Sequence, residues 1–217
     1  MRSSLWSRRA GGVTITPKSL PVVVAIGASG SDGLDDIKVL LSALPNPIPA
    51  VILVVLHRPV NQISHLRGIL ARAFAAEVRV ASQDERFEPG VCYIGEPDQH
   101  LTLAAHSLAE MIDDPSNRHR NRTIDALFRS VARHAGPRMI GVVLSGSLDD
   151  GSRGLAAIHA AGGTTMVLDP TGRTFPEMPR NAIRYDGQVN LVGSAKEIAE
   201  AIGQLAASLA GKTTPRL

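Results

Sequence analysis

The chain has 217 residues, 44% of them apolar and only 3% aromatic, with 20 glycines and 14 prolines, enough for one core of Val, Ile, Leu and Ala with many tight turns but with little room for a second domain. A net charge of +3, with no aromatic groups interleaved among the basic ones, argues against a nucleic-acid partner, and no apolar run approaches the roughly 20 residues that a membrane helix needs. The lone cysteine, Cys92, excludes a disulfide framework and any CxxC site, and its strand-like flanks mark it as a small buried hydrophobe.

Residues 1–20 read as a flexible basic tail without the apolar core of a secretory signal, which makes the cytoplasm the simplest location. One folded domain over 21–210 and a short C-terminal tail over 211–217 complete the chain. Within the domain, 22–26 is a β-branched run that ends at Gly27, as expected of a strand buried on both faces. A helix is predicted over 35–44, stopped by Pro45-Asn46-Pro47. A second buried strand follows over 50–56 and a second helix over 63–74. From 77 to 112 short alternating segments (78–80, 91–94, 101–103 and 108–112) separated by Pro and Gly predict an antiparallel hairpin region. Helix returns over 123–134 and strand over 139–144. After Asp150-Gly151 come a helix to 161, a strand over 165–168, a short strand over 188–192 and a terminal helix over 195–209. The fold class is therefore α/β: a single doubly wound, mostly parallel sheet with helices on both faces and an antiparallel hairpin region, whose ligands bind beyond the C-terminal ends of the strands.

Three polar positions fall at those strand ends. Ser29 sits in Gly27-Ala28-Ser29-Gly30-Ser31, where flanking small residues allow a sharp strand-to-helix turn that exposes a hydroxyl beside free helix amides, close to the GxSxG elbow. His57 directly follows the second strand, and adjacent parallel strands bring their ends within a few ångströms, so its imidazole can serve Ser29 as general base. Asp150 follows the strand over 139–144 through Ser145-Gly146-Ser147-Leu148-Asp149. An aspartate there can orient the histidine, while its neighbour Asp149 caps the next helix. Taken singly, each has a plainer reading: a small turn residue, a histidine with one backbone hydrogen bond, a helix cap. Together, in the chain order Ser, His, Asp, they differ from the α/β-hydrolase order.

At these residues the chain resembles the catalytic domain of the chemotaxis receptor methylesterases, the CheB-type protein-glutamate methylesterases. The resemblance spans about 22–202 and rests on Ala25-Ile26-Gly27-Ala28-Ser29, the strand ending in His57, and Pro89-Gly90-Val91-Cys92-Tyr93-Ile94 followed by His100. It continues through Thr123-Ile124-Asp125-Ala126-Leu127-Phe128, Leu144-Ser145-Gly146 with Asp150-Gly151, Ala161-Gly162-Gly163 and Met178-Pro179-Arg180-Asn181-Ala182-Ile183. It implies Ser29 as nucleophile, His57 as base and Asp150 as third triad member, with Gly30, Ser147 and Leu148 at the substrate pocket and oxyanion site. It also implies hydrolysis of glutamate methyl esters, and for some members deamidation of glutamines, on methyl-accepting chemotaxis receptors. No cofactor or metal is expected, and no receiver domain fits within the tail. The basic cluster 118–122 would guide acidic receptor surfaces. The family usually has Thr-Gly-Gly after the serine, where this chain has Gly30-Ser31-Asp32, and Thr-Gly-Met-Gly where it has Ser145-Gly146-Ser147-Leu148. The latter exchange alters the pocket wall.

Two other readings stay open at this point. Gly27, Gly30 and Gly33 form GxxGxxG after a strand, as in dinucleotide sites, although His57-Arg58 stands where the ribose-binding acid belongs and suits only an NADP phosphate. A methylesterase-like protein that binds a signalling partner without turnover is the other.

Overall fold

The computed structural model describes residues 20–58, 65–97, 99–114 and 122–211. The N-terminal tail up to residue 19, the start of the helix expected at 63, residues 118–121 of the basic cluster and the end of the C-terminal tail lie outside them. Among the described residues no helix is long and apolar enough to cross a membrane.

The chain opens with β1 (Val22–Ser29), α1 (Gly30–Ala43), β2 (Ala50–His57) and α2 (Leu66–Ala73). There follow β3 (Glu77–Val80), β4 (Val91–Ile94) and an antiparallel pair, β5 (Gln99–Ala104) and β6 (Leu108–Asp113). Then come α3 (Thr123–His134), β7 (Met139–Val143), α4 (Ser152–Ala160) and β8 (Thr164–Leu168). The last elements are α5 (Glu177–Arg184), β9 (Leu191–Gly193) and α6 (Ala195–Gly211). Seven strands form one sheet in the order β3-β4-β2-β1-β7-β8-β9, and every pair in it is parallel. The doubly wound sheet with a separate antiparallel pair is thus present, with β1 between β2 and β7, where the winding reverses.

Strand alternation divides the core into two layers. On β1, Val22, Val24, Ile26 and Ala28 point into the layer under α1 and α6. Val23 and Ala25 point the opposite way, into the layer under α3 and α4. On β2, Val51 and Leu53 share that second face. With a side-chain period of two, Ser29 and His57 both belong to the α3 face. Gly27 lies on the same face, and a Cβ there would stand 2.2 Å from Cγ2 of Ile124 on α3. The bare backbone of β1 lets the start of α3 lie close beneath the strand ends.

Three expectations are corrected. Strands β3 and β4 are not a hairpin but parallel members of the main sheet. Residues 81–90 between them are too short for a helical crossover, which is what made them read as a hairpin; this loop is held instead by Asp84 N–H to Ala109 O (3.0 Å) and Phe87 N–H to Ser107 O (2.8 Å), at the β5–β6 pair. Helix α1 starts at Gly30, well before residue 35, so its first amides lie directly behind Ser29. Helix α5 was not expected, because its prolines mask it; Pro176 is its N-cap and Pro179 lies in its first turn, where the missing amide costs nothing. Cys92 is buried as expected, and burial pushes its thiol up to about 12, which removes it as a nucleophile at neutral pH.

The close approach at Gly27 has a measurable consequence. Gly27→Ala should lower the unfolding free energy by about 2 kcal/mol, since the methyl meets buried Ile124 rather than a yielding surface chain. Gly68→Ala on α2, where an added Cβ has open space around it, should raise it by about 0.5–1 kcal/mol. Urea denaturation of the two variants checks the opposite signs.

Candidate active site

Ser29 is the last residue of β1 and His57 the last of β2, and the two are Cα partners in the parallel register. Ser29 is also the N-cap of α1, in extended conformation (φ −142°, ψ 142°), and its side chain makes no capping hydrogen bond. The left-handed conformation of the turn is carried by Gly30, with φ +72°. The hydroxyl is therefore not spent on its own helix, and the unpaired amides of the first turn of α1 lie behind it.

Asp150 is fully buried, and both carboxylate oxygens are saturated. Oδ2 accepts from His57 Nε2 at 2.7 Å and from the Ile124 amide at 2.9 Å, while Oδ1 accepts from the amides of Asp125 and Gly151, both at 2.9 Å. Ile124 and Asp125 belong to the first turn of α3, so the carboxylate sits at the positive end of that helix. The His57 side chain is 14% exposed and Asp150's is 0%: the imidazole is the link between a dry carboxylate and the cleft. With Nε2 donating to Asp150, Nδ1 is the ring nitrogen left for a hydroxyl on the neighbouring strand end.

The sequence expected Asp149 to cap the helix that follows. Instead Gly151 is the N-cap of α4, the side chain that accepts an amide of its first turn is that of Asp125 (Gly154 N–H to Oδ1, 2.7 Å), and Asp149 pairs with Arg153 at 3.2 Å. Asp150 caps a helix too, but it is α3, far away in sequence.

A cleft of about 230 Å³ opens over these residues, and Ser29, Gly30, His57, Ser147 and Leu148 all line it. The segment after β7 forms one wall. It is fastened by Ser29 N–H to Ser145 O (3.0 Å), Gly146 N–H to Phe175 O (3.1 Å), Met178 N–H to Gly146 O (2.9 Å) and Asn181 Nδ2 to Leu148 O (2.7 Å). A Cβ on Gly146 would stand 2.6 Å from that of Ser29 and 2.3 Å from Met178 Sδ, so only glycine fits between the serine and α5. Leu148 is 55% exposed and holds φ 71°; its side chain stands at the rim. Arg58 also lines the cleft but commits Nη2 to Gly95 O at 2.6 Å, and burial lowers its pKa from the ordinary guanidinium value.

Four contributors carried no assigned role in the sequence. Asn181 and Met178 buttress the Ser147-Leu148 wall, Asp125 holds the Asp150 turn, and the buried pair His100–Asp114 (3.1 Å) stands at the β5–β6 end of the cleft. Asp125, His100, Met178 and Asn181 all fall within the stretches that carried the family resemblance, which was the one signal available for them.

A serine, a histidine and a buried aspartate gathered at the C-terminal edge of a doubly wound sheet is an arrangement found in the serine-hydrolase class. The chain belongs to the CheB methylesterase family, whose profile matches residues 24–202. It is 37% identical over 182 residues to a protein-glutamate methylesterase/protein-glutamine glutaminase of Yersinia pestis, covering 82% of this chain and 51% of that one. With a Salmonella typhimurium protein of the same description it shares 33% identity over 192 residues, covering 87% and 54% of the two chains. The chain thus spans about half the length of the curated relatives it matches. The crystal structure of the Thermotoga maritima CheB methylesterase catalytic domain superimposes with a TM-score of 0.76 at 28% identity, covering 85% of this chain and 98% of that one.

Two left-handed positions that line the cleft, Leu148 and Gly30, predict opposite effects. A leucine at φ 71° stores about 1 kcal/mol of strain, and its exposed side chain returns little of it, so Leu148→Gly should raise the unfolding free energy by about 1 kcal/mol. Gly30→Thr puts a β-branched residue at φ +72° and should lower it by about 1–2 kcal/mol. Thermal denaturation of the two single variants measures both.

Proposed function

We propose that this chain is a protein-glutamate methylesterase that acts through a glutamyl-serine intermediate on chemotaxis receptors, at their cytoplasmic face. The observation that carries the reading is the register of Ser29 against His57, combined with the 2.7 Å bond from His57 to the buried Asp150 carboxylate. Ser29 Oγ attacks the δ-carbonyl carbon of the glutamyl methyl ester while His57 Nδ1 takes the hydroxyl proton. Asp150 holds the ring and stabilises its charged form without taking a proton. Amides of the first turn of α1, starting at Gly30, face the developing oxyanion. Collapse of the tetrahedral intermediate returns the proton from His57 to the leaving methoxide and releases methanol. Water then attacks the acyl-serine with His57 again as base, leaving a glutamate carboxylate and free Ser29. A glutamine side chain gives the same acyl-serine with loss of ammonia, which supports deamidation as a second activity of the same site.

Gly30, Ser147 and Leu148 form the rim that meets the substrate. The GxxGxxG pattern has another explanation than a dinucleotide: Gly27 admits Ile124, and a Cβ on Gly33 would stand 2.8 Å from Ser145 O, so both serve helix packing.

A fluorophosphonate probe and methanol release from methylated receptor fragments test the reading. The wild-type chain should be labelled at one serine, and Ser29→Ala should abolish labelling and lower methanol release by about a thousandfold or more, with a change in stability of no more than about 1 kcal/mol. His57→Gln should remove the rise of activity with pH that follows deprotonation of an imidazole base. A folded Ser29→Ala chain that keeps its turnover, or a wild-type chain that binds receptor fragments without turnover, would replace this reading with that of a binding protein.

A further inference from the structure

Behind the Asp150 turn lies a second buried carboxylate. Asp125 is 4% exposed and stands in the first turn of α3. Its own amide donates to Asp150 Oδ1 at 2.9 Å. Its Oδ1 accepts from the amides of Gly151 (3.1 Å) and Gly154 (2.7 Å), which lie after Asp150 and in the first turn of α4. The two aspartates are thus interlocked: each carboxylate receives an amide of the segment that carries the other, and they share the Gly151 N–H. The close fit extends to the helices, since a Cβ on Gly154 would stand 3.1 Å from Asp125 Cα and 2.5 Å from Phe128 Cβ.

The charge of Asp125 is only loosely countered. Arg153 Nη1, from α4, approaches Oδ2 no closer than 3.6 Å, and among the described residues Oδ2 has no hydrogen-bond partner. Among the described residues the ionisable groups that face it are Asp150 from the turn after β7, Arg153 from α4 and Arg129 from its own helix; His57 is joined to it through Asp150. A helix cap alone needs no second anion so placed. Two like charges held this near raise each other's cost unless a cation stands by, and the cation available on the far side of Asp150 is the imidazolium that forms when His57 takes a proton.

We propose that Asp125 is a positioning residue for the His57–Asp150 pair: its carboxylate fastens the turn that carries Asp150 and sets a second buried negative charge behind the imidazole. This rests on the methylesterase reading above. Burial first, and the adjacent Asp150 charge as well, push the Asp125 carboxyl above its ordinary value, as expected of an anion kept there by the fold.

Asp125→Asn separates the two parts of the role. Its amide oxygen still accepts from Gly151 and Gly154, but the charge is gone. The rate of fluorophosphonate labelling of Ser29 is measured against pH for the full wild-type chain, Asp125→Asn and Asp125→Ala. The asparagine variant, which keeps the turn fastened but lacks the charge, should lose no more than about tenfold in plateau rate while the acid limb of its profile moves to lower pH by about half a unit or more, the direction set by loss of a neighbouring negative charge. The alanine variant, which frees the turn, should lose about a hundredfold in plateau rate, and the asparagine variant counts as its rescue. Coincident profiles for wild type and Asp125→Asn overturn the charge role, and an alanine variant at the wild-type rate overturns positioning altogether. Failure of the underlying reading looks different: the wild-type chain is then unlabelled, or Ser29→Ala is labelled equally.

Discussion

A carboxylate taken out of water must be paid back by donors, and the donors Asp150 finds decide how this molecule is built. They are two amides of the first turn of α3, the amide of Gly151 and the imidazole of His57. Loss of such a set would leave an uncompensated buried charge, a cost of about 3–5 kcal/mol. The four donors come from three separate parts of the chain: the end of β2, the start of α3 and the turn before α4. Satisfying one side chain therefore fixes the relative placement of a strand end and two helix starts. The same bonds hold the His57 ring in a single orientation, so that folding and preparation of the ring are one event.

That placement depends on how near α3 can come to the sheet. Gly27 on β1 and Gly154 on α4 leave no side chain where Ile124, Asp125 and Phe128 pass. Interiors packed to crystal density do not accommodate an extra methyl without displacement. The glycines thus act at a distance from the cleft: they let the N-terminus of α3 lie under the ends of β1 and β2, where Asp150 meets His57.

Much of this was legible in the chain itself. The β-branched runs that end at Ser29 and His57 gave both strands and, by parallel pairing, the proximity of the two residues. The Asp150-Gly151 step after β7 gave the third. What was not legible is long-range. That Asp150 caps α3 and not α4 depends on the winding of the sheet, and a cap signal read locally favours the nearest helix. The parallel pairing of β3 and β4 was hidden because residues 81–90 are too few for the usual crossover. Helix α5 was hidden by its prolines, and with it the support that Met178 and Asn181 give to the cleft wall. Asp125 lay inside a stretch recognised only by family resemblance; no periodicity marks a helix residue whose partners are glycine amides of another element.

The cleft joins parts that differ in how freely they can vary. His57 and Asp150 are tied to elements by several bonds each or by the sheet register, and Ser29 is wedged against Gly146. Substitution of His57 or Asp150 therefore disturbs the fold and the proposed chemistry together, whereas Ser29→Ala keeps the Cβ that packs against Gly146 and removes only the hydroxyl. The rim is held by its backbone: Asn181 grips the carbonyl of Leu148, and Phe175 and Met178 hold Gly146 through main-chain bonds. Side chains at Ser147 and Leu148 can therefore change while the wall stays in place. Of the positions where this chain departs from the usual family residues, Gly30, Ser147 and Leu148 line the cleft, and Leu148 presents an exposed apolar side chain from a left-handed backbone. On the proposed reading, a rim that varies over Ser29, His57 and Asp150 changes which surface can approach the serine and leaves the reaction as it is.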